Sequence, residues 1–134
     1  KLNNGLFKMI DNGVREVEII KSNDKGFKIV GNYSFNERTH KRSINFDIKN
    51  KRFSIIDIVS HKNAIANFNI ADGNDFKEIP NGFVVDNTRF EFKKYKKVKV
   101  LKSYYSESYS NKIKIKSINI YIEEKVLEYD ITII

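Results

Sequence analysis

The sequence predicts an all-β protein, an antiparallel β-sandwich of roughly 9–11 short strands. Three observations predict it. Apolar and polar residues alternate along nearly the whole chain, whereas a helical period never persists beyond two turns. Isoleucine, ten Phe and seven Tyr supply most of the apolar content, and these residue types favour strands. Turn signals recur at spacings of about 8–14 residues, as in sandwiches.

Each predicted strand is an apolar or alternating run that ends at a turn signal. The runs cover 14–21, 27–35, 40–48, 52–59, 64–70, 83–85, 90–92, 98–100, 113–115, 118–122 and 127–133. Hairpin turns are predicted at 24–26, with Gly26 at positive φ, and at 86–87, and residues 80–82 are predicted to form a further turn.

Two runs depart from simple alternation. The run at 52–59 is nearly continuous in apolar residues, which predicts a strand covered on both faces. At Ser117–Ile118 the alternation shifts by one residue, which indicates a β-bulge or two separate short strands.

The net charge of the chain is concentrated in one segment. Lys and Arg total 25 and Asp and Glu total 17, so the formal charge is +8. Residues 93–116 hold nine lysines and one acid, Glu107, while the other 110 residues are balanced. The length accommodates one domain, 1–134, and because Lys1 is not a natural start we expect a fragment of a larger protein, with any targeting sequence elsewhere in that protein.

Composition excludes several classes of protein. Without cysteine there is no disulfide scaffold, thiol nucleophile or thiolate metal site. No apolar run approaches the ~20 residues that span a bilayer, and we expect no membrane partner. The segment 72–75 resembles half of a calcium loop but lacks the bidentate Glu, so it is interpreted as a turn. Two His residues are too few for a His-rich centre, and we expect no metal or cofactor, although a mixed His/carboxylate site stays open.

His40 and Arg42 are candidate ligand-binding residues. They are in phase with Ile44 on the predicted strand 40–48, so they point to the interior or into a cleft between layers. An arginine facing a cleft can hold a carboxylate or sulfate through two hydrogen bonds. Alternatively, Arg42 pairs with an acid such as Asp57 and His40 caps a loop. The other histidine, His61, is predicted to lie in an exposed turn.

The lysines of the basic segment alternate with apolar residues. Lys97 and Lys99 share one face of their strand, and Lys112, Lys114 and Lys116 share one face of the next. If these strands pair, a strip results that would bind an anionic polymer through Lys97, Lys99 and Lys114. Alternatively, the lysines only protect edge strands from aggregation. Lysine outnumbers arginine 20 to five, whereas sulfate recognition usually prefers arginine.

Other catalytic signatures are missing from the sequence. It contains no Gly-x-Ser-x-Gly elbow and no Gly-rich phosphate loop. A Ser-His-Asp triad stays open. Nucleic-acid binding is not favoured, because the tyrosines at 104, 105 and 109 cluster in one predicted loop instead of interleaving with lysines on a sheet face.

Three segments resemble the heparinase II/III-like family in order and spacing. The segment 38–47, RTHKRSINFD, resembles its His-x-Arg-x-apolar-x-apolar strand. A short turn and an apolar-apolar-Asp strand follow in that family, as in FSIIDIV at 53–59. The segment 102–110, KSYYSESYS, resembles its Ser-x-x-Tyr-Gly stretch, with Ser110 where Gly is commoner. The resemblance spans residues 25–134.

This resemblance implies the C-terminal β-sandwich of a bacterial polysaccharide lyase, joined to an N-terminal helical toroid domain of the same chain. Members cleave uronate-containing glycans by β-elimination: a base removes the C5 proton, the neutralised carboxylate stabilises the carbanion, and an acid protonates the leaving oxygen. The family's catalytic Tyr and Asn lie in the toroid. Its His-rich sandwich motif precedes the His-x-Arg strand, and this chain has no His before His40. No catalytic residue is therefore assigned, and the strand with His40 and Arg42 is regarded as mainly structural.

Two functional hypotheses follow. In the first, the chain is the sandwich of such a lyase, inactive alone, which packs on the toroid and closes one wall of an anionic-polysaccharide cleft. In the second, it is a stand-alone carbohydrate-binding or adhesion module for an anionic polysaccharide. A degradative parent protein would favour a periplasmic, cell-surface or secreted location.

Overall fold

The computed structural model describes residues 2–3, 9–10, 13–106, 108 and 111–134. Within them every regular element is a strand, so the all-β prediction is confirmed. The strands are β1 (Leu2–Asn3), β2 (Met9–Ile10), β3 (Val14–Asn23), β4 (Gly26–Phe35), β5 (Arg38–Asp47), β6 (Arg52–Val59), β7 (Ile65–Ala71), β8 (Phe76–Ile79), β9 (Gly82–Val85), β10 (Thr88–Lys94), β11 (Lys97–Tyr105), β12 (Ile113–Tyr121) and β13 (Val126–Ile133). With no helix in this part of the chain, none is present that could span a membrane.

Eleven of these described strands form two sandwich-like open sheets, and β1 pairs separately with β2. The larger sheet has the order β3-β4-β5-β6-β13-β10-β9-β8, and the smaller has the order β11-β12-β7. Every pairing is antiparallel. The chain passes between the sheets at β7, returns to the larger one for β8–β10, and crosses again for β11 and β12.

The predicted hairpin turns at 24–26 and 86–87 are present, and the predicted turn at 80–82 joins β8 to β9. Asn23 Oδ1 accepts hydrogen bonds from the backbone N–H of Lys25 (2.9 Å) and of Gly26 (3.2 Å), which closes the β3–β4 turn. The φ of Gly26 is 159° and is therefore positive, as predicted. A Cβ at Gly26 would lie 1.8 Å from the carbonyl oxygen of Phe46, so the close approach of β5 requires glycine.

Three sequence-based predictions of the strands are wrong. β12 pairs with β11 and β7 without a register shift, so the apolar residues before and after Ser117 belong to one strand and lie on opposite faces. β6 is covered on one face only, since Ile56 and Ile58 are exposed. Tyr104 and Tyr105 belong to β11 and not to a loop. The structure also adds β8, for which no strand was predicted.

The core lies between the smaller sheet and part of the larger one. Ile118 and Ile120 of β12 are fully buried against residues of β6, β9, β10 and β13. Phe68 of β7 makes edge-to-face contacts with four aromatic rings of the larger sheet, those of Phe83, Phe90, Phe92 and Tyr129. These contacts join the two layers.

The smaller sheet covers only part of the larger sheet. We call β6, β13, β10 and β9 the covered half, because their inward side chains form the core with β12. We call β3, β4 and β5 the open half, where every residue of the edge strand β3 is exposed. Phe27, Phe46 and Phe53 stack together on the inner face of the open half and its border with β6.

Candidate functional site

A cleft of about 650 Å3 opens where the inner face of the larger sheet emerges from beneath the smaller sheet. One wall is formed by β4, β5 and β6 and carries Tyr33, His40, Arg42 and Asp57. The opposite wall includes Phe68 of β7, and Tyr129 of β13 also lines the cleft. The cleft therefore lies at the border between the covered half and the open half.

Strand pairing selects the residues on this wall. Directly opposite residues of antiparallel strands point to the same side of the sheet. Arg42 is paired with Gly31 on β4 and with Asp57 on β6. His40, two residues earlier on β5, is paired with Tyr33 on β4 and lies on the same face. The register thus brings the basic side chains His40 and Arg42 of β5 beside the carboxylate of β6.

His40, Arg42 and Asp57 form a hydrogen-bonded cluster, which we call the triad. Arg42 Nε donates to Asp57 Oδ1 at 2.6 Å, and a second guanidinium nitrogen donates to Asp57 Oδ2 at 3.1 Å. His40 Nε2 lies 2.8 Å from Asp57 Oδ1. Both carboxylate oxygens therefore accept hydrogen bonds, and Arg42 binds Asp57 in a bidentate manner.

The members of the triad differ in burial. The side chain of Asp57 is 3% exposed, whereas those of His40 and Arg42 are 40% and 45% exposed. A buried carboxylate requires charged or hydrogen-bonding partners, and these two residues supply them. The hydrogen bond to Asp57 raises the pKa of Arg42. Because both partners remain half exposed, they can also contact a molecule in the cleft.

Tyr129 adds a neutral hydroxyl to the cleft. Burial raises the pKa of Tyr129 to about 12; the charge of Arg42 opposes this rise and that of Asp57 adds to it. The ring is held by contacts with Phe92 and Phe68. The phenol is therefore protonated at neutral pH and is available as a hydrogen-bond donor or acceptor.

Gly31 leaves one side of Arg42 open. Gly31 lies between Val17 on β3 and Arg42 on β5, and a Cβ at this position would meet nothing closer than 4.0 Å. A shallow depression of about 270 Å3 lies over it and is lined by both Arg42 and His40. The guanidinium is thus bordered by open space on two sides, the cleft and this depression.

Chemically, this arrangement favours binding of an anion. Arg38 and His61 line the same cleft, so four basic side chains and one buried carboxylate belong to its lining. His61 is exposed in a bend after β6, as predicted. Among the described residues, no group of three or more His, Cys, Asp or Glu side chains could hold a metal ion.

His40 and Arg42 have features of both interpretations, the one in which they face a cleft and the one in which Arg42 pairs with an acid. Their side chains face a cleft between the layers, and Arg42 also pairs with Asp57, as the structural alternative predicted. His40 does not cap a loop but contacts the same carboxylate. Binding of a ligand by these residues stays a prediction.

The predicted lysine strip is not a single surface. Lys97 and Lys99 are paired with Tyr121 and Asn119, whereas Lys114 is paired with Tyr104. These two sets of pairs lie on opposite faces of the smaller sheet, because side chains alternate along each strand. Lys97, Lys99 and Lys114 therefore cannot contact one ligand together. The prediction treated the two strands separately, and only their register relates the faces.

Sequence reasoning did not assign Tyr129 or Arg38 to the cleft. Tyr129 alternates with polar residues between Leu127 and Ile131 on the last strand, so an inward side chain was predictable. Its position near Asp57 depends on the pairing of β13 with β6, which the alternation does not give. Arg38 precedes His40 by two residues, so the same alternation could have placed it on the cleft face.

No protein-family model matches this chain. No curated protein and no solved structure matches it either.

Proposed function

We propose that this chain is the β-sandwich domain of a heparinase II/III-like polysaccharide lyase. In the parent protein it would serve β-elimination of uronate-containing anionic glycans, and alone it would be inactive. The observation that carries the proposal is the triad. It joins His40 and Arg42 of one motif of the resemblance to Asp57 of the next.

The triad supplies a physical reason for the order of the two motifs. A buried Asp57 without its partners would cost several kcal/mol, on the order of 3–5. A His-x-Arg strand and an apolar-apolar-Asp strand therefore depend on each other, and a short turn between them is needed for antiparallel pairing in this register. Two strands that depend on each other in this way are expected to occur together, in this order, in every domain that shares the fold.

The cleft beside the triad suits a carbohydrate chain with carboxylates. Its volume of about 650 Å3 lies within the usual range of ligand sites, about 300–1,000 Å3. Arg42 offers positive charge, His40 offers an imidazole, and Tyr33 offers a hydroxyl group and ring surface, whereas Tyr129 is only 2% exposed. In this proposal the domain forms one wall of the substrate cleft, and the helical toroid supplies the base and acid.

An activity assay tests this proposal. The 134-residue chain and its full-length parent are incubated with alginate, heparin and hyaluronan, and the absorbance of the unsaturated uronate product is followed. We expect no product with the chain alone and product from at least one polymer with the parent. Turnover by the chain alone, or a parent inactive on every polyuronate, would contradict the proposal.

A stand-alone module that binds an anionic polysaccharide is a second candidate. The observation that favours it is a set of exposed cations without an ion pair to any described acid, namely Arg38, Lys102 and Lys114. Such a module would bind heparin or alginate oligosaccharides without the parent, and salt would weaken this binding. A chain that binds while its parent shows no lyase activity would favour the module over the lyase domain.

A further inference from the structure

The pairing of β11 with β12 sets two lysines directly opposite each other. Lys102 on β11 is paired with Lys116 on β12, and two residues further along the same face Lys114 is paired with Tyr104. Directly opposite residues have Cβ atoms about 4.5–5.5 Å apart. Three ammonium groups are therefore gathered at one end of the smaller sheet, on the face that carries Ile118.

This cluster is not neutralised by the described part of the protein. Like charges directly opposite each other on paired strands are destabilising. Among the described residues, the ion pairs of Asp57, Glu91 and Asp130 do not include any of the three lysines. Lys93, from the same basic segment, shows the contrast, since its Nζ lies 3.0 Å from Asp130.

The cluster also has a defined shape. Nζ of Lys116 lies 4.5 Å from the centroid of the Phe76 ring, which orients the side chain by a cation–π contact. Lys102, Lys114 and Lys116 line a depression of about 280 Å3 together with Tyr104. Asp72 lies on the same depression without forming an ion pair with them, so the charge of the side chains around it remains positive.

We propose that Lys102, Lys114 and Lys116 form a second anion-binding site, apart from the cleft, for a sulfate or carboxylate group of an anionic polysaccharide. An anion between the lysines would remove the repulsion that the strand register creates, and the Tyr104 hydroxyl could donate a hydrogen bond to it. The ligand class rests on the proposed function, whereas the site itself rests on the register. Lys97 and Lys99 belong to the opposite face and take no part.

Lysines on opposite faces of one sheet allow a matched test. The variant Lys102→Gln/Lys116→Gln and the control Lys97→Gln/Lys99→Gln remove the same charge. Binding of fluorescent heparin and alginate oligosaccharides is measured by anisotropy at low and moderate salt, with single-stranded DNA of similar charge as a further probe. We expect the first variant to weaken binding of a glycan about tenfold and the control less than about twofold.

Four results would contradict the proposal, three of them for the site and one for the ligand class. If both variants lose the same amount of glycan affinity, only net charge matters. The same conclusion follows if the chain binds DNA as tightly as the glycans and both variants lose the same amount of DNA affinity. Undiminished binding in the first variant would exclude the lysine cluster, and no binding of either glycan by the unaltered chain would exclude the ligand class. Thermal unfolding checks folding, and we expect the first variant to be no less stable because the repulsion is removed.

A failure of the lyase proposal gives a different result. If the parent lacks lyase activity while binding is lost selectively in Lys102→Gln/Lys116→Gln, the site stands and the lyase assignment does not. A further variant, Asp72→Asn, removes the negative charge from the depression, and we expect it to strengthen glycan binding. Weaker binding in this variant would contradict a site that attracts anions.

Discussion

The covered half and the open half of the larger sheet share one sequence pattern but differ in burial. In both, apolar residues alternate with polar ones and point to the same face of the sheet. Under the covered half this face packs against Ile118, which is 0% exposed, whereas Val17 and Ile19 of the open half are 74% and 67% exposed. Alternation therefore shows which residues share a face and does not show whether that face is covered.

The triad lies where these two environments meet. Asp57 is on the last strand that the smaller sheet covers, and Arg42 and His40 are on the first strand of the open half. A buried acid can thus have half-exposed basic partners, which a uniform core would not allow. This border is also where the cleft forms, so incomplete coverage of the sheet creates the candidate site.

The largest difference between the covered half and the open half is expected in the free energy of unfolding when a buried and an exposed isoleucine are each replaced by alanine. Ile118→Ala removes a fully buried side chain and leaves a cavity, so we expect a loss of about 2–5 kcal/mol in the free energy of unfolding. The same substitution at Ile19 should change it by less than about 0.5 kcal/mol, since that side chain is already in water. Urea unfolding measures both. Similar losses at the two positions would show that the open half is covered in solution.

Alkaline unfolding should report on the covered half through Tyr129. In the unfolded chain a tyrosine ionises near pH 10, whereas the folded protein retains its proton until about pH 12. The folded state thus binds more protons in this window, and stability falls as the pH rises from about 10 to about 12, by up to about 2–3 kcal/mol.

Tyr129→Phe provides the control for this pH dependence. It removes the ionisable group and keeps the ring contacts with Phe92 and Phe68. We expect the decline in unfolding free energy between about pH 10 and 12 to become shallower in this variant. An unchanged slope would mean that Tyr129 is not the group responsible.

A smaller effect is expected at the border. Asp57→Asn keeps the shape of the side chain but removes its charge, so the ionic contacts of Arg42 and His40 weaken. Because both partners are half exposed and can be hydrated, we expect a loss of about 1–2 kcal/mol. Asp24→Asn, at an exposed turn of the open half, should be neutral within about 0.5 kcal/mol. If Asp57→Asn and Asp24→Asn change the free energy of chemical unfolding equally, the triad adds no stability.

The smallest effect should come from Gly31 in the open half. Glycine within a strand costs stability relative to alanine, and a Cβ here would make only ordinary contact with the carbonyl oxygen of Glu16, 4.0 Å away. Gly31→Ala should therefore raise the free energy of unfolding by about 0.5–1 kcal/mol. A loss of stability in the same unfolding experiment would indicate that the depression beside Arg42 is tighter than the structure shows.

Much of the local structure was predictable from residue pattern. The turns at 24–26 and 80–82, the strand with His40 and Arg42, and its facing strand with Asp57 follow from alternation and turn residues. The pairing of Arg42 with Asp57 was one of two alternatives, and adjacent antiparallel strands made it possible. The short strand β8 was missed, because its four residues carry too little pattern.

The sequence by itself determined the all-β architecture, the turns and the positions that share a face within each strand, because these depend on neighbouring residues. Only the tertiary structure decided how the faces of different strands combine. The register of β11 with β12 placed Lys97 and Lys99 on the opposite face of the sheet from Lys114. The smaller sheet has only three strands against eight, and it therefore left β3 uncovered. Register and coverage depend on contacts between residues far apart in the chain, and a change of one residue in register reverses every face.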